Sequence, residues 1–213
     1  MTEREWLTQR RWYAPLFARY GETAGGVGWS AANQRKRFAA LTAGWDFSQP
    51  VVVLDVGCGL AHLFDYLTDQ GAHVRYRGVD ILPAYVAAAN RRLGGPVCTV
   101  LDAETEPLPP CDYAVASGVF NVALGSATRD QAHLQRIVTH MLAQARRGVA
   151  FDCLLTTHPQ PVAGQAYYDE SWLYQFVHGR DAFSTDAGIP GNFVAQLVTQ
   201  EAAHAHGLPG PEG

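Results

Sequence analysis

Residues 51–59, Val-Val-Val-Leu-Asp-Val-Gly-Cys-Gly, constrain the fold of this chain more than any other segment. A run of β-branched residues reads as a buried strand, Val51 to Asp55, and it breaks at once into a turn with two glycines. Gly57 and Gly59 let the backbone turn tightly and come within contact distance of a ligand that a Cβ would hold off. Leu60 to Gln70 then reads as a helix, with Leu63, Phe64 and Leu67 on one face and Gly71 as its stop. A strand, a glycine turn and a helix N-terminus in that order form a cradle for polar or anionic ligand groups.

The pattern continues. From Pro50 onward short apolar runs alternate with helical ones, which predicts a largely parallel sheet covered on both faces. The expected strands are His73–Val79, Val97–Leu101, Tyr113–Ser117 and Val149–Leu155, with Ala182–Thr185 and Asn192–Thr199 as a closing hairpin around residues 188–191. Pro83 opens a helix that Gly94 closes, and a long helix is expected over 128–147, with Thr128 and Gln131 as a capping box. Asp169 caps a further helix through Val177. Glu104–Pro110 and Thr156–Ala166 read as loops. Before Pro50, residues 3–19 and 31–43 look helical around the glycine-rich stretch 21–28. Residues 1–49 are therefore expected to form a helical cap, 50–201 the core and 202–213 a disordered tail.

Asp80 stands 21 residues after Gly59, at the end of the second strand. An acid there can accept hydrogen bonds from both hydroxyls of a ribose, which fits a dinucleotide or another adenosine-containing cofactor. The residues Leu-Asp-Val-Gly-Cys-Gly at 54–59, Gly-Val-Asp-Ile at 78–81 and Leu-Asp-Ala at 101–103 resemble successive signatures of the class I S-adenosylmethionine-dependent methyltransferases. The resemblance covers about 51–155, and the acid just before the glycine turn is a feature that dinucleotide dehydrogenases usually lack.

The resemblance implies an α/β fold: a Rossmann-like doubly wound sheet of about seven strands, mostly parallel with an antiparallel last strand, plus the N-terminal helical cap. It implies S-adenosyl-L-methionine as cofactor and S-adenosyl-L-homocysteine as product. Asp55 would lie near the methionine amino group, Gly57, Cys58 and Gly59 against the cofactor, and Asp80 with Ile81 at the ribose. Asp102 would accept from the adenine amine while Ala103 faces the ring. Where the family often has a third glycine this chain has Ala61. Ser117 to Asn121 follow the fourth strand at the edge where family members place substrate and methyl group, so Ser117 is expected at the cofactor. The segment is not the Asn/Asp-Pro-Pro-Tyr motif of enzymes that methylate base amino groups in DNA.

The acceptor side is expected to use Tyr13, Trp29, Gln34 and Phe120, and the catalytic candidates are His158, Asn121 and Tyr20. His158 is preferred among His62, His133, His140, Tyr167 and Tyr168 because its loop follows the fifth strand. His133 and His140 read as surface or half-buried groups of the long helix. Methyl transfer from a sulfonium is an in-line displacement that needs alignment more than a base, and no metal ligand set is expected.

A net charge of −4 leaves no basic field for nucleic acid, so a small-molecule acceptor, as in secondary metabolism, is expected. No apolar stretch approaches the ~20 residues needed to span a bilayer. Cys58, Cys98, Cys111 and Cys153 show no metal spacing and suit a reducing compartment, so a cytoplasmic protein is expected. A homodimer is compatible with the chain. Two other uses of the site, cyclisation of the cofactor's aminobutyryl chain and non-catalytic cofactor binding, also fit the motifs.

Overall fold

The structure is a computed structural model describing residues 1–178 and 182–199. Seven strands form one sheet in the order β3-β2-β1-β4-β5-β7-β6. They are β1 (Val51–Val56), β2 (Val74–Asp80), β3 (Cys98–Val100), β4 (Cys111–Ala116), β5 (Ala145–Leu154), β6 (Ala182–Ser184) and β7 (Asn192–Val198). The first five are parallel; β7 runs antiparallel to both β5 and β6. The chain leaves β1 toward β2 on one side and later returns to place β4 on the other. That reversal of strand order opens a crevice at the carboxyl ends of β1 and β4.

Alternation along the strands separates two cores. In β1, Val51 and Val53 face α2 (Ala31–Leu41) and α3 (His62–Asp69), packing with Phe38, Leu41, Leu63 and Leu67. Leu54 and Val56 face the opposite side, with Leu134, Ile137 and Met141 of α5 (Ala127–Gln144). The remaining helices are α1 (Glu3–Tyr20), α4 (Pro83–Leu93) and α6 (Glu170–Val177), and short 3₁₀ turns lie at Ala24–Val27 and Val119–Asn121. No helix among the described residues is long and apolar enough to cross a membrane.

The structure moves three expected boundaries. α3 starts at His62, not Leu60, because Ala61 takes a left-handed conformation at its N-cap, φ 58°. Ser126, rather than Thr128 with Gln131, caps α5 by accepting from the Arg129 N–H. That helix ends at Gln144, and Arg146 and Arg147, expected in it, belong to β5. Arg146 is drawn into the sheet by Asp112 of β4, its Nη2 donating at 2.8 Å. Residues 202–213, expected as a disordered tail, lie outside the described residues.

Gly78 has a packing role that the motif alone does not explain. A Cβ there would stand 2.6 Å from the Cys98 sulfur and 2.8 Å from the Cys58 sulfur. Two thiols, one from β3 and one from the glycine turn, thus close over the one β2 residue with no side chain. Gly78→Ala should destabilise the fold by about 1–3 kcal/mol through overpacking, read from the denaturant midpoint, and adding Cys98→Ala should recover most of the loss. Equal stability of Gly78→Ala and wild type would contradict this packing account.

Candidate active site

A cavity opens at the crevice, with the glycine turn as its floor and α1, the first 3₁₀ turn and α2 as its roof. The turn is held from β2. The N–H groups of Gly57 and Cys58 both donate to the Val79 carbonyl, at 2.8 and 3.0 Å. Gly57 has φ 70°, and a Cβ on it would come 2.4 Å from Val119 Cγ2.

Asp80 ties the turn to the end of its strand. The Gly59 N–H donates to Oδ2 and the Leu82 N–H to Oδ1, each at 2.8 Å. Each carboxylate oxygen keeps a further lone pair for a ligand. Burial raises the pKa of Asp80 against those bonds. Asp55, one strand over, is buried and accepts from the Tyr76 hydroxyl at 2.5 Å. Asp102, after β3, accepts from the Met1 ammonium at 2.5 Å and from the Glu104 N–H at 2.9 Å. Burial pushes its pKa up, but the ammonium, the Glu104 N–H and Thr105 together outweigh that and lower it.

The loop after β4 is fixed by a charge pair wholly out of water. Arg37 Nη1 donates to Asp152 Oδ2 at 2.8 Å, and the two side chains are 1% and 0% exposed. The Gly118 N–H donates to Asp152 Oδ1 at 2.7 Å, and the Ser117 hydroxyl to Oδ2 at 3.3 Å. The Arg37 guanidinium also lies 3.7 Å from the centroid of the Trp29 ring, and Trp29 closes over Gly118. Among the described residues no group of three His, Cys, Asp or Glu side chains is placed to hold a metal ion.

Every residue expected at the cofactor lines this one cavity: Asp55, Gly57, Cys58, Gly59, Asp80, Ile81, Asp102, Ala103 and Ser117. Tyr13, Trp29 and Gln34, expected on the acceptor side, line it too. The other four expected site residues do not. Tyr20 is 43% exposed beyond the cavity, with the Arg19 guanidinium over its ring. His158 folds back on its own loop, where Nδ1 accepts from the Gln160 N–H at 3.2 Å and Gly191 packs against it. Phe120 is a core residue, edge-on to Phe151 and His133. Asn121 is buried beside it.

Among the lining residues not anticipated are His133, Gln9 and Tyr85. His133 is 3% exposed, not a surface group, and its Nδ1 lies 2.8 Å from Glu104 Oε2. It falls on the stripe of Leu134, Ile137 and Met141 that α5 turns inward. Glu104, read as the start of a loop, is buried and also accepts from Arg129 at 2.7 Å and Arg136 at 2.9 Å. Burial opposes its ionisation, yet His133 and Arg129 hold its pKa at about 2. Arg129 also donates to Glu5 at 2.6 Å, which fastens α1 to α5 beside the cavity. Gln9 reaches the lining from α1 and Tyr85 from α4.

Residues 53–148 match the model of a family described as a methyltransferase domain. Rv1506c of Mycobacterium tuberculosis, whose name marks it provisionally as a methyltransferase, is 36% identical over 108 residues. The match takes in 50% of this chain and 65% of that protein, so the chain spans less than two thirds of its relative. Magnesium protoporphyrin IX methyltransferase from Synechocystis PCC 6803, solved with bound SAM, superposes with a TM-score of 0.66 over 94% of this chain and 99% of its own, at 15% identity. The 1,6-didemethyltoxoflavin-N1-methyltransferase of Burkholderia thailandensis gives 0.60 over 91% and 88%, at 18% identity. Identities this low show a shared fold.

Asp55 carries a pH signature. Burial lifts its pKa from 3.8 to about 7, against the Tyr76 hydrogen bond and with help from Asp80. Between about pH 4 and pH 7 the unfolded chain has this acid ionised while the folded protein keeps it protonated. Stability from this group therefore falls as pH rises through that window and is level above it. Asp55→Asn, neutral at every pH, should remove the slope, so the urea midpoint of wild type relative to the variant should drop across the window. Parallel curves for the two proteins would contradict the assignment.

Proposed function

We propose that this chain, whose residues 53–148 match a methyltransferase-domain family, is a class I S-adenosylmethionine-dependent methyltransferase that transfers a methyl group to a small-molecule acceptor. The observation that carries the reading is the set of carboxylates at successive strand ends. Asp55, Asp80 and Asp102 all line the cavity, and no lysine or arginine does. S-adenosylmethionine is cationic at its sulfonium and ammonium, so the lining suits it. The pyrophosphate of a dinucleotide would meet repulsion there, the Met1 ammonium in the lining being held by Asp102.

In this reading Asp55 receives the methionine ammonium and Asp80 the ribose hydroxyls. Asp102 receives the adenine amine, with Ile81 and Ala103 beside the ring and Cys58 and Ser117 along the chain. The bound cofactor supplies an electrophilic methyl on sulfur. The protein's part is to hold the acceptor in line with it, keep water out and tie the floor to the roof. The cap, residues 1–49, forms that roof, with Tyr13, Trp29 and Gln34 toward the acceptor. Tyr20, Asn121 and His158 stand away from the cavity, and alignment without proton transfer by them accounts for the chemistry. Four free buried cysteines fit a reducing compartment such as the cytoplasm, and a cavity roofed by the cap fits the small acceptors of secondary metabolism.

Asp80→Ala removes an acceptor of charge-assisted hydrogen bonds worth roughly 1.5–3 kcal/mol each. Binding of S-adenosylhomocysteine, measured by calorimetry, should weaken by about tenfold to a hundredfold. Unchanged affinity would sink the ribose assignment. Product analysis decides the chemistry: S-adenosylhomocysteine with a methylated acceptor supports transfer, whereas 5′-methylthioadenosine would point to cyclisation of the aminobutyryl chain.

A further inference from the structure

His133 brings an unused ring nitrogen to the wall of this cavity. The residue is 3% exposed and lines the cavity, and among the described residues its Nε2 is buried with no hydrogen-bond partner. A polar atom shut off from water and left unpaired is costly. At a cavity wall, a ligand group can remove that cost.

The other ring nitrogen settles what Nε2 can do. Nδ1 lies 2.8 Å from Glu104 Oε2. Burial works against ionisation of Glu104, yet the hydrogen bonds from His133 and Arg129 hold it as a carboxylate, which can only accept. Nδ1 therefore carries the ring proton. Arg129 and Arg136 both pair with Glu104, so its charge is met without a second proton on the imidazole. Nε2 is left with a lone pair, and its complement is an N–H donor.

The place of His133 in the fold picks out which N–H. Glu104 bonds His133 with its side chain, and its own N–H donates to Asp102 Oδ1 at 2.9 Å. His140, further along the same helix, puts Nδ1 3.0 Å from the Ala103 carbonyl. α5 thus fastens the stretch 102–104 at both histidines. His133 and Ile137, one turn apart, line the cavity at that end with Leu101, Asp102 and Ala103. Under the proposed function the adenine lies here. Its 6-amino group has two N–H bonds, and Asp102 is the acceptor of one.

We infer that His133 Nε2 accepts the second N–H of the cofactor's adenine 6-amino group, which makes His133 a determinant of cofactor specificity. Asp102 and His133 then read one amine from two elements, the exit of β3 and the inner face of α5. A 6-oxo purine would set its carbonyl oxygen against both acceptors, so the pair selects by repulsion as well as by attraction. Glu104 is the positioning residue, because it fixes the tautomer that leaves Nε2 bare. The inference rests on the methyltransferase reading, which is what puts an adenine at this end of the cavity.

The test uses the full chain with S-adenosylhomocysteine and S-inosylhomocysteine, in which a carbonyl replaces the 6-amino group. By calorimetry the wild type should bind the adenosyl ligand about a hundredfold more tightly. His133→Phe, checked for folding by circular dichroism, should bind S-adenosylhomocysteine about tenfold more weakly and the inosyl ligand no more weakly. A merely structural role would weaken both alike. A second measurement needs no variant: in wild type labelled with ¹⁵N-histidine, the His133 Nε2 resonance should move upfield when S-adenosylhomocysteine binds. Equal affinity of the two ligands for wild type, unchanged discrimination in the folded variant, or an Nε2 resonance that stays in place would overturn the inference. Failure of S-adenosylhomocysteine to bind the wild type would instead overturn the methyltransferase reading.

Discussion

The Arg37–Asp152 pair is the contact on which the shape of the site depends. Asp152 comes from β5, Arg37 from the cap, and neither touches water. Burying two charges is costly unless each is well bonded, and breaking such a pair costs more than it contributes when whole. Here the carboxylate is used by the guanidinium, the Gly118 N–H and the Ser117 hydroxyl together. One acid therefore sets the position of α2, the exit from β4 and, through Arg37, the Trp29 ring. The cap is bolted over the crevice by the same group that shapes its floor.

The second constraint is a division of charge. Acids stand at the carboxyl ends of β1 and β2 and just past β3, while the basic side chains near the cavity are spent elsewhere. Arg37 serves Asp152, and Arg129 links Glu5 to Glu104. Asp102 is paired with the Met1 ammonium, but Asp55 and Asp80 are left without a counter-ion except for whatever binds. Raised pKa values at Asp55 and Asp80 express the same fact, since burial without a counter-ion disfavours the carboxylate. A cationic ligand would lower them again.

The parts of this site legible in the sequence are the local ones. Gly57, Gly59 and Asp80 follow from a strand, a turn and the end of the next strand, all within 30 residues, and short-range geometry leaves them little choice. The mostly parallel sheet and its closing hairpin followed from the same alternation. What was not legible depends on packing between distant segments. Arg37 and Asp152 are 115 residues apart, and Glu5 and Arg129 are 124 apart. Asp152, which no local motif marks, is paired with arginine. His133 could have been found, because it precedes Leu134 and lies one turn before Ile137 on a stripe that must face inward. Tyr20 repeats the phase of Tyr13, but seven residues carry it roughly 10 Å further along the helix axis, past the cavity. His158 failed for a topological reason: the loop after β5 lies one strand beyond the reversal between β1 and β4, and it packs on Gly191.

Ala61 shows how a motif position tolerates change. Its left-handed φ of 58° is where glycine would sit without strain, and a Cβ there costs roughly 1–2 kcal/mol. The methyl group is fully buried among Leu63, Leu67 and Val86, which recovers part of that cost. The central claim, that the acid-lined cavity is an S-adenosylmethionine site with an acceptor pocket under the cap, is tested most directly by a crystal structure of the full chain with S-adenosylhomocysteine. The account predicts both ribose hydroxyls within roughly 2.5–3.2 Å of the Asp80 carboxylate, the ammonium at Asp55 and the sulfur facing Gln9, Tyr13 and Trp29. A ligand bound elsewhere, or with its ribose turned away from Asp80, would contradict it.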